Sequence, residues 1–243
     1  MNGLFWNIRG IANDPSITCL IKLCKLYKLG VVAVSEPMIG DDRLSQISKR
    51  LNMTGFMVNI SSKIVLFWNS LFSVQLIKDC DQILSVKVTT TTNESFALSV
   101  VYAKCDRMER MSLWDIIWNL ASRISKPWLL ARDFNVITCK EEKVGERNPN
   151  VSTMDDFVDL INVIGLVDLG FSGSRFTWCN NREELDCVWA HLDRVLVFWN
   201  AHQAIKEAED RVQQAELNHL KMNSAARFME LREERKKLHE VHK

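Results

Sequence analysis

Short β-rich runs, each closed by polar or turn-forming residues, recur along most of this chain, and a block of consecutive strands sits between helix-spaced segments. Runs at 2–7, 31–34, 64–68, 73–77, 83–88, 96–102 and 128–131 have the length and apolar content of strands. Segments at 16–29, 44–51, 108–124 and 154–164 instead space their apolar residues three or four apart. The first carries Ile17, Leu20, Ile21, Cys24 and Leu29; the third carries Met111, Trp114, Ile117, Trp118 and Ala121. Ser16 is placed to cap the first helix, Pro127 to stop the third and Gly165 to close the fourth. A purely parallel doubly wound sheet needs a helix between strands, and the runs from 64 to 102 leave no room for one. Residues 89–93 make a hairpin connection instead. The pattern predicts an α/β (α+β) layered architecture whose central strands form an antiparallel meander.

The 243 residues are 47% hydrophobic with a formal charge of +1, enough for one ordinary domain with a substantial core. A near-neutral field cannot by itself capture nucleic acid, so any such attraction must come from a local basic face. Seven cysteines, an odd number without a Cys-x-x-Cys pair, argue against a disulfide framework or a zinc site and read as reduced packing thiols. No secretory leader or membrane-length apolar window is evident, so a soluble intracellular protein, nuclear or cytoplasmic, is expected. From 201 onward glycine and proline vanish, and Ile205, Ala208, Val212 and Ala215 recur at helical spacing. This predicts a helical tail over 201–243, able to pack on the domain or bind a protein partner.

Oxygen-bearing residues stand repeatedly at strand ends: Asn7, Glu36, Tyr102, Asp133, Asn135 and Asp193. Each has an ordinary explanation alone. Asp133 and Asn135 fit an Asx turn, Tyr102 a core aromatic, and Glu36 a solvated position. Their shared plan points to a site for a hard cation, which prefers oxygen ligands.

The order of the segments Trp-Asn-Ile-Arg-Gly (6–10), Ser-Glu-Pro (35–37), Val-Tyr-Ala (101–103), Asp-Phe-Asn (133–135), Phe-Thr-Trp (176–178) with Asn180 and Asn181, and Leu-Asp-Arg-Val-Leu (192–196) resembles the endonuclease/exonuclease/phosphatase superfamily. Within it, the match is to the endonuclease domain of plant LINE-type (non-LTR) retrotransposon polyproteins, over roughly residues 2–200. The resemblance implies a four-layer sandwich of two mixed sheets covered by helices. It implies Mg²⁺, with Mn²⁺ as an alternative, at Glu36 and Asn7. Asp133 would orient or deprotonate the attacking water, Asn135 would steady the phosphate, Tyr102 would face it, and Asp193 would support the site. Arg9, Thr177, Trp178 and Asn180 would contact a DNA substrate.

Two departures from that pattern matter. The family's closing Ser-Asp-His segment and last strand are missing, after which 201–243 resembles the linker to a reverse transcriptase; of the five histidines only His191 stands near a matched motif. Arg132 replaces a usual glycine, and a cation there should lower the basicity of Asp133 or block phosphate approach. Loss of a phosphate-contacting histidine commonly removes several powers of ten in rate, about 1.4 kcal/mol each. The expectation is weak or lost DNA cleavage, and an open sheet edge where the last strand is missing. A catalytically silent, protein-binding remnant and a phosphatase acting on a small phosphorylated molecule stand as alternatives.

Overall fold

The computed structural model describes residues 2–11, 14–145, 151–182 and 186–198, together with Gln213. The chain divides into a unit Met1–Phe198 and a second unit Trp199–Lys243. Apart from Gln213, the expected helical tail lies outside the described residues.

Two mixed sheets dominate the first unit. One has the order β1 (Gly3–Asn7), β2 (Val31–Ser35), β4 (Ile64–Trp68), β3 (Gly55–Val58), with β1 and β2 parallel and the rest antiparallel. The other has the order β10 (Leu166–Asp168), β13 (Asp193–Phe198), β8 (Trp128–Asp133), β7 (Ser95–Tyr102), β6 (Ile83–Thr90), β5 (Phe72–Cys80), with a single parallel pair at β7 and β8. A small antiparallel sheet adds β11 (Trp178–Cys179), β12 (Trp189–Ala190) and β9 (Lys143–Val144) in that order. The antiparallel block therefore divides: β4 joins the first sheet, and only β5, β6 and β7 form the meander. Among the described residues β1 is hydrogen-bonded only to β2, which makes it an edge strand.

Alternation along the strands builds three apolar layers. Val31, Ala33, Ile64 and Leu66 face Leu84, Val86, Leu98 and Val100 between the sheets. On the outer side of the first sheet, Val32, Val34, Val65 and Phe67 meet Ile17, Leu20, Leu44 and Ile47 from α1 (Asp14–Leu26) and α2 (Asp41–Arg50). On the outer side of the second, Trp128, Leu130 and Leu196 meet Leu113, Ile117, Phe157 and Leu160 from α3 (Arg107–Ala121) and α4 (Val151–Ile164). The layers run helix, sheet, sheet, helix. Strands buried on both faces read as continuous apolar runs, which is why 31–34 and 64–68 stand out in the sequence. The buried indole N–H of Trp128 donates to Ser99 Oγ at 2.8 Å, and Ser99 bonds Ser85 at 2.7 Å, so these polar atoms on the outer face of the second sheet are satisfied.

Several local expectations shift. Helix α1 begins at Asp14, which puts Ser16 inside the first turn rather than at the cap. Helix α3 ends at Ala121, before Pro127 is reached, and Asp106 caps its start by accepting the N–H groups of Met108 and Glu109. Its buried face is Arg110, Leu113, Trp114, Ile117 and Leu120; Met111 and Trp118 are exposed, so the helix is rotated from the stripe its spacing predicts. Gly165 closes α4 at φ +78°, where a glycine carries no steric cost. The cysteines are mostly not core: Cys24 is buried, whereas Cys19, Cys105 and Cys139 are exposed and the rest half-buried.

Candidate active site

Parallel pairing of β1 with β2 sets Asn7 beside Ser35, so the two following loops leave the sheet together. The N–H groups of Ile8, Gly10 and Ile11 then donate to the carbonyls of Ser35, Glu36 and Pro37 at 3.2, 2.8 and 2.9 Å. These bonds hold Arg9 at φ +44° and Glu36 at φ +51°, a region that residues with a Cβ seldom occupy. The side-chain oxygen Oδ1 of Asn7 is buried and receives no hydrogen bond among the described residues.

The second sheet supplies the opposing wall. Register places Tyr102 beside Asp133 on one side of β8 and Asp193 beside Asp133 on the other. Asp133 Oδ1 accepts the N–H of Asn135 at 3.0 Å, so the Asx turn does form, and it turns the chain just beyond the strand. Asn135 donates its amide to Ala103 O at 2.6 Å and sits at φ +49°. Thr177 Oγ1 accepts the N–H groups of Leu192 and Asp193 at 3.0 and 3.1 Å, which fixes the approach to β13.

Two side-chain links cross between the sheets at this end. The Tyr102 hydroxyl donates to the Glu36 carboxylate. Arg132 pairs with Asp193 and directs Nε towards Ser35 Oγ at 3.4 Å. Arg132 is 6% exposed and sits at φ +113°, a conformation suited to glycine that costs any other residue about 1–3 kcal/mol. Four residues in left-handed backbone around one small region, Arg9, Glu36, Arg132 and Asn135, mark where strain is concentrated.

Burial is the largest influence on Asp133, followed by repulsion from Asp193, and together they raise its pKa to about 6. Arg132 and the Asn135 N–H pull it down, as the sequence suggested, but burial outweighs them; Glu36 raises it slightly. Burial and the bond to Glu36 hold the Tyr102 hydroxyl well above the ordinary tyrosine range, so at neutral pH it is a donor.

Asn7, Arg9, Arg132, Asp133, Thr177 and Asp193 border one cavity of about 400 Å³. A larger one, about 620 Å³, lies on the other side of Trp178 and is bordered by Asn135, Lys143, Met154 and Asn180. The amide of Asn180 is committed elsewhere, donating to Asp186 O at 2.7 Å and accepting the N–H of Val188 at 3.0 Å. His191, the one histidine among the described residues, is buried, bonded through Nδ1 to Arg175 O at 2.7 Å and packed on Phe171. It serves as a structural residue there. No group of three or more His, Cys, Asp or Glu side chains is arranged to hold a metal among the described residues.

Two buried arginines hold the segments that carry the site. Arg110, buried on α3, donates to the carbonyls of Lys104, Cys105 and Asn135 at 2.7, 3.1 and 3.0 Å and so ties down both loops that carry Tyr102 and Asn135. Arg194, 6% exposed, pairs with Asp168 at 2.6 Å and with Glu142, fixing the strand that begins at Asp193. A cation inside an apolar stripe is the only sequence signal Arg110 offers, whereas Arg194 stands in the Leu-Asp-Arg-Val-Leu segment with no role of its own assigned there.

No protein-family model and no curated protein matches the sequence. Solved structures do. The endonuclease domain of TRAS1, a telomere-specific non-LTR retrotransposon, superposes with a TM-score of 0.61 at 11% identity, covering 82% of this chain and 85% of that one. A 3′ phosphatase from Neisseria, bound to product DNA hairpin, gives 0.60 at 12% identity over 80% and 85% of the two chains. An endonuclease/exonuclease/phosphatase family protein from Bacteroides thetaiotaomicron gives 0.50 at 13% over 80% of each. At such identities the likeness shows the fold: an α/β sandwich shared with that superfamily, a retrotransposon endonuclease domain among its neighbours.

Proposed function

We propose that the chain is a phosphodiester hydrolase of DNA-endonuclease type, of plant LINE-type retrotransposon origin, with a divalent metal and low turnover. The observation that carries this reading is the convergence of Asn7, Glu36, Tyr102, Asp133 and Asp193 from the ends of five strands in two sheets. Function needs such a meeting; packing alone does not.

The Oδ1 of Asn7, unpartnered among the described residues, and the carboxylate of Glu36, which follows the Ser35 paired with Asn7, suit a magnesium ion, which takes one or two protein oxygens and keeps several waters. Bound there, Mg²⁺ or Mn²⁺ would stabilise negative charge on the phosphate oxygens. Asp133, with a pKa of about 6, is ionised at neutral pH yet basic enough to take a proton from water. The Asn135 amide spends one donor on Ala103 and has a second for a phosphate oxygen. Tyr102, held protonated, donates to Glu36 and keeps that carboxylate in place. Arg9 borders the same cavity and supplies a positive charge for the DNA backbone.

Low turnover follows from Arg132, whose guanidinium occupies Asp193, and from a sequence without a Ser-Asp-His segment. The Arg132–Asp193 pair also favours the second reading, a catalytically silent remnant. Plasmid relaxation with Mg²⁺, together with calorimetric titration of Mg²⁺ and Mn²⁺, separates the two. Wild type should nick faster than Asp133→Ala, and the heat of metal binding should disappear in Glu36→Ala. Equal inertness of wild type and Asp133→Ala would refute hydrolysis and leave the silent remnant.

A further inference from the structure

Two thiols that read as packing residues in the sequence meet instead on a hairpin beside the candidate site. Cys179 ends β11, which pairs with β12, and its sulfur lies 3.6 Å from that of Cys187. Neither belongs to any of the apolar clusters. The backbone N–H of Asn181 donates to Cys179 Sγ at 3.3 Å, which fixes the position of that sulfur. The two limbs are drawn together independently of the sulfurs: Asn180 donates to Asp186 O at 2.7 Å, and its Oδ1 accepts the N–H of Val188 at 3.0 Å.

We propose that Cys179 and Cys187 form a peroxide-oxidisable dithiol, with Cys179 the attacking sulfur and Cys187 the resolving one. Partial burial, then the contact with Cys179, pushes the Cys187 thiol up, and either sulfur of the pair can donate to the other. In the first step the Cys179 thiolate attacks one oxygen of hydrogen peroxide. An S–O bond forms, the O–O bond breaks, and hydroxide leaves and takes a proton, giving a sulfenic acid and water. In the second step the Cys187 sulfur attacks the Cys179 sulfur, forming S–S and breaking S–O. The departing hydroxide takes the Cys187 proton and leaves as a second water. Two thiols lose two electrons and the peroxide gains them; a dithiol reductant reverses the change by thiol–disulfide exchange. Cys179 and Trp189 border the same cavity as Asp133, so the modification alters a wall of the candidate site.

The test is thiol mapping on the full chain, whose outcome is separate from that of the hydrolase reading. The chain is titrated with hydrogen peroxide, free thiols are blocked with N-ethylmaleimide, and peptides are mapped without reduction. The expected result is an intramolecular linkage of residues 179 and 187, formed while Cys19, Cys105 and Cys139 still take the blocking reagent, and reversed by dithiothreitol. In Cys187→Ser, dimedone should label Cys179; in Cys179→Ser, it should leave Cys187 unlabelled. Oxidation of Cys19 or Cys139 without a 179–187 linkage overturns the site. Dimedone labelling of Cys187 in Cys179→Ser overturns the assignment of roles.

Discussion

Replacing Asp133 by Asn should stabilise the protein while removing the base proposed for it, and the gain should depend on pH in a predictable direction. Burial and the neighbouring Asp193 raise the Asp133 pKa to about 6, against about 4 in an unfolded chain. A carboxyl whose folded pKa is raised binds its proton more tightly in the native state. Its favourable contribution is complete below about pH 4 and is lost as pH rises through about 6. Two pKa units correspond to about 3 kcal/mol, and with Asp133 only 7% exposed, solvent screening removes little of it. The Asp133→Asn side chain carries no charge at any pH, and its amide oxygen can still accept the Asn135 N–H that Asp133 accepts at 3.0 Å. Removing the charge also relieves the repulsion that Asp193 and Glu36 exert on Asp133. The stability difference between variant and wild type should therefore grow by up to about 3 kcal/mol from pH 4 to pH 7. At roughly 2–4 °C per kcal/mol for a domain of this size, that is about 6–12 °C in Tm. Urea unfolding of both proteins at several pH values, with a chelator present, measures it. A difference that is constant with pH, or that widens towards acid, would refute the reasoning.

Three further substitutions probe the fold and site. Asn59→Ala should cost about 3 kcal/mol in urea unfolding, because the buried Asn59 amide donates to Cys80 O and Asp81 O at 3.0 and 3.3 Å and accepts from Lys63 and Ile64 at 2.9 Å each; a loss under about 1 kcal/mol would contradict that role. Arg132→Gly places glycine at φ +113° and frees Asp193, so Mg²⁺-dependent plasmid nicking should rise about tenfold, equivalent to about 1.4 kcal/mol of barrier. No increase there would mean that Arg132 is not what restrains the site. Asp106→Ala removes the cap of α3 and should lower stability by about 1 kcal/mol, measured by thermal unfolding, with an unchanged Tm counting against it.

Continuous apolar runs and helical spacing made the element types legible, because burial on both faces of a strand leaves a direct mark on composition. Boundaries were less legible. The spacing of α3 predicts Met111 and Trp118 inward, but an apolar residue on a helix need not face the core, and the buried face instead includes Arg110. The division of the central strands between two sheets left no local trace either, since β4 pairs with β2 and β3 through backbone groups that carry no side-chain identity.

By itself, the sequence determined which residue types stand at strand ends, and hence that an acid-and-amide site of some kind was worth seeking. Only the tertiary structure decided how they are used. It brings Glu36 and Tyr102 together across 66 positions of chain and pairs Arg132 with Asp193 across 61. It assigns Asn180 to its own loop and His191 to the core, and it places Cys179 against Cys187. The reason is physical: local spacing sets periodicity and turn geometry, whereas distances between remote side chains, and the burial that shifts Asp133, exist only once two sheets have packed.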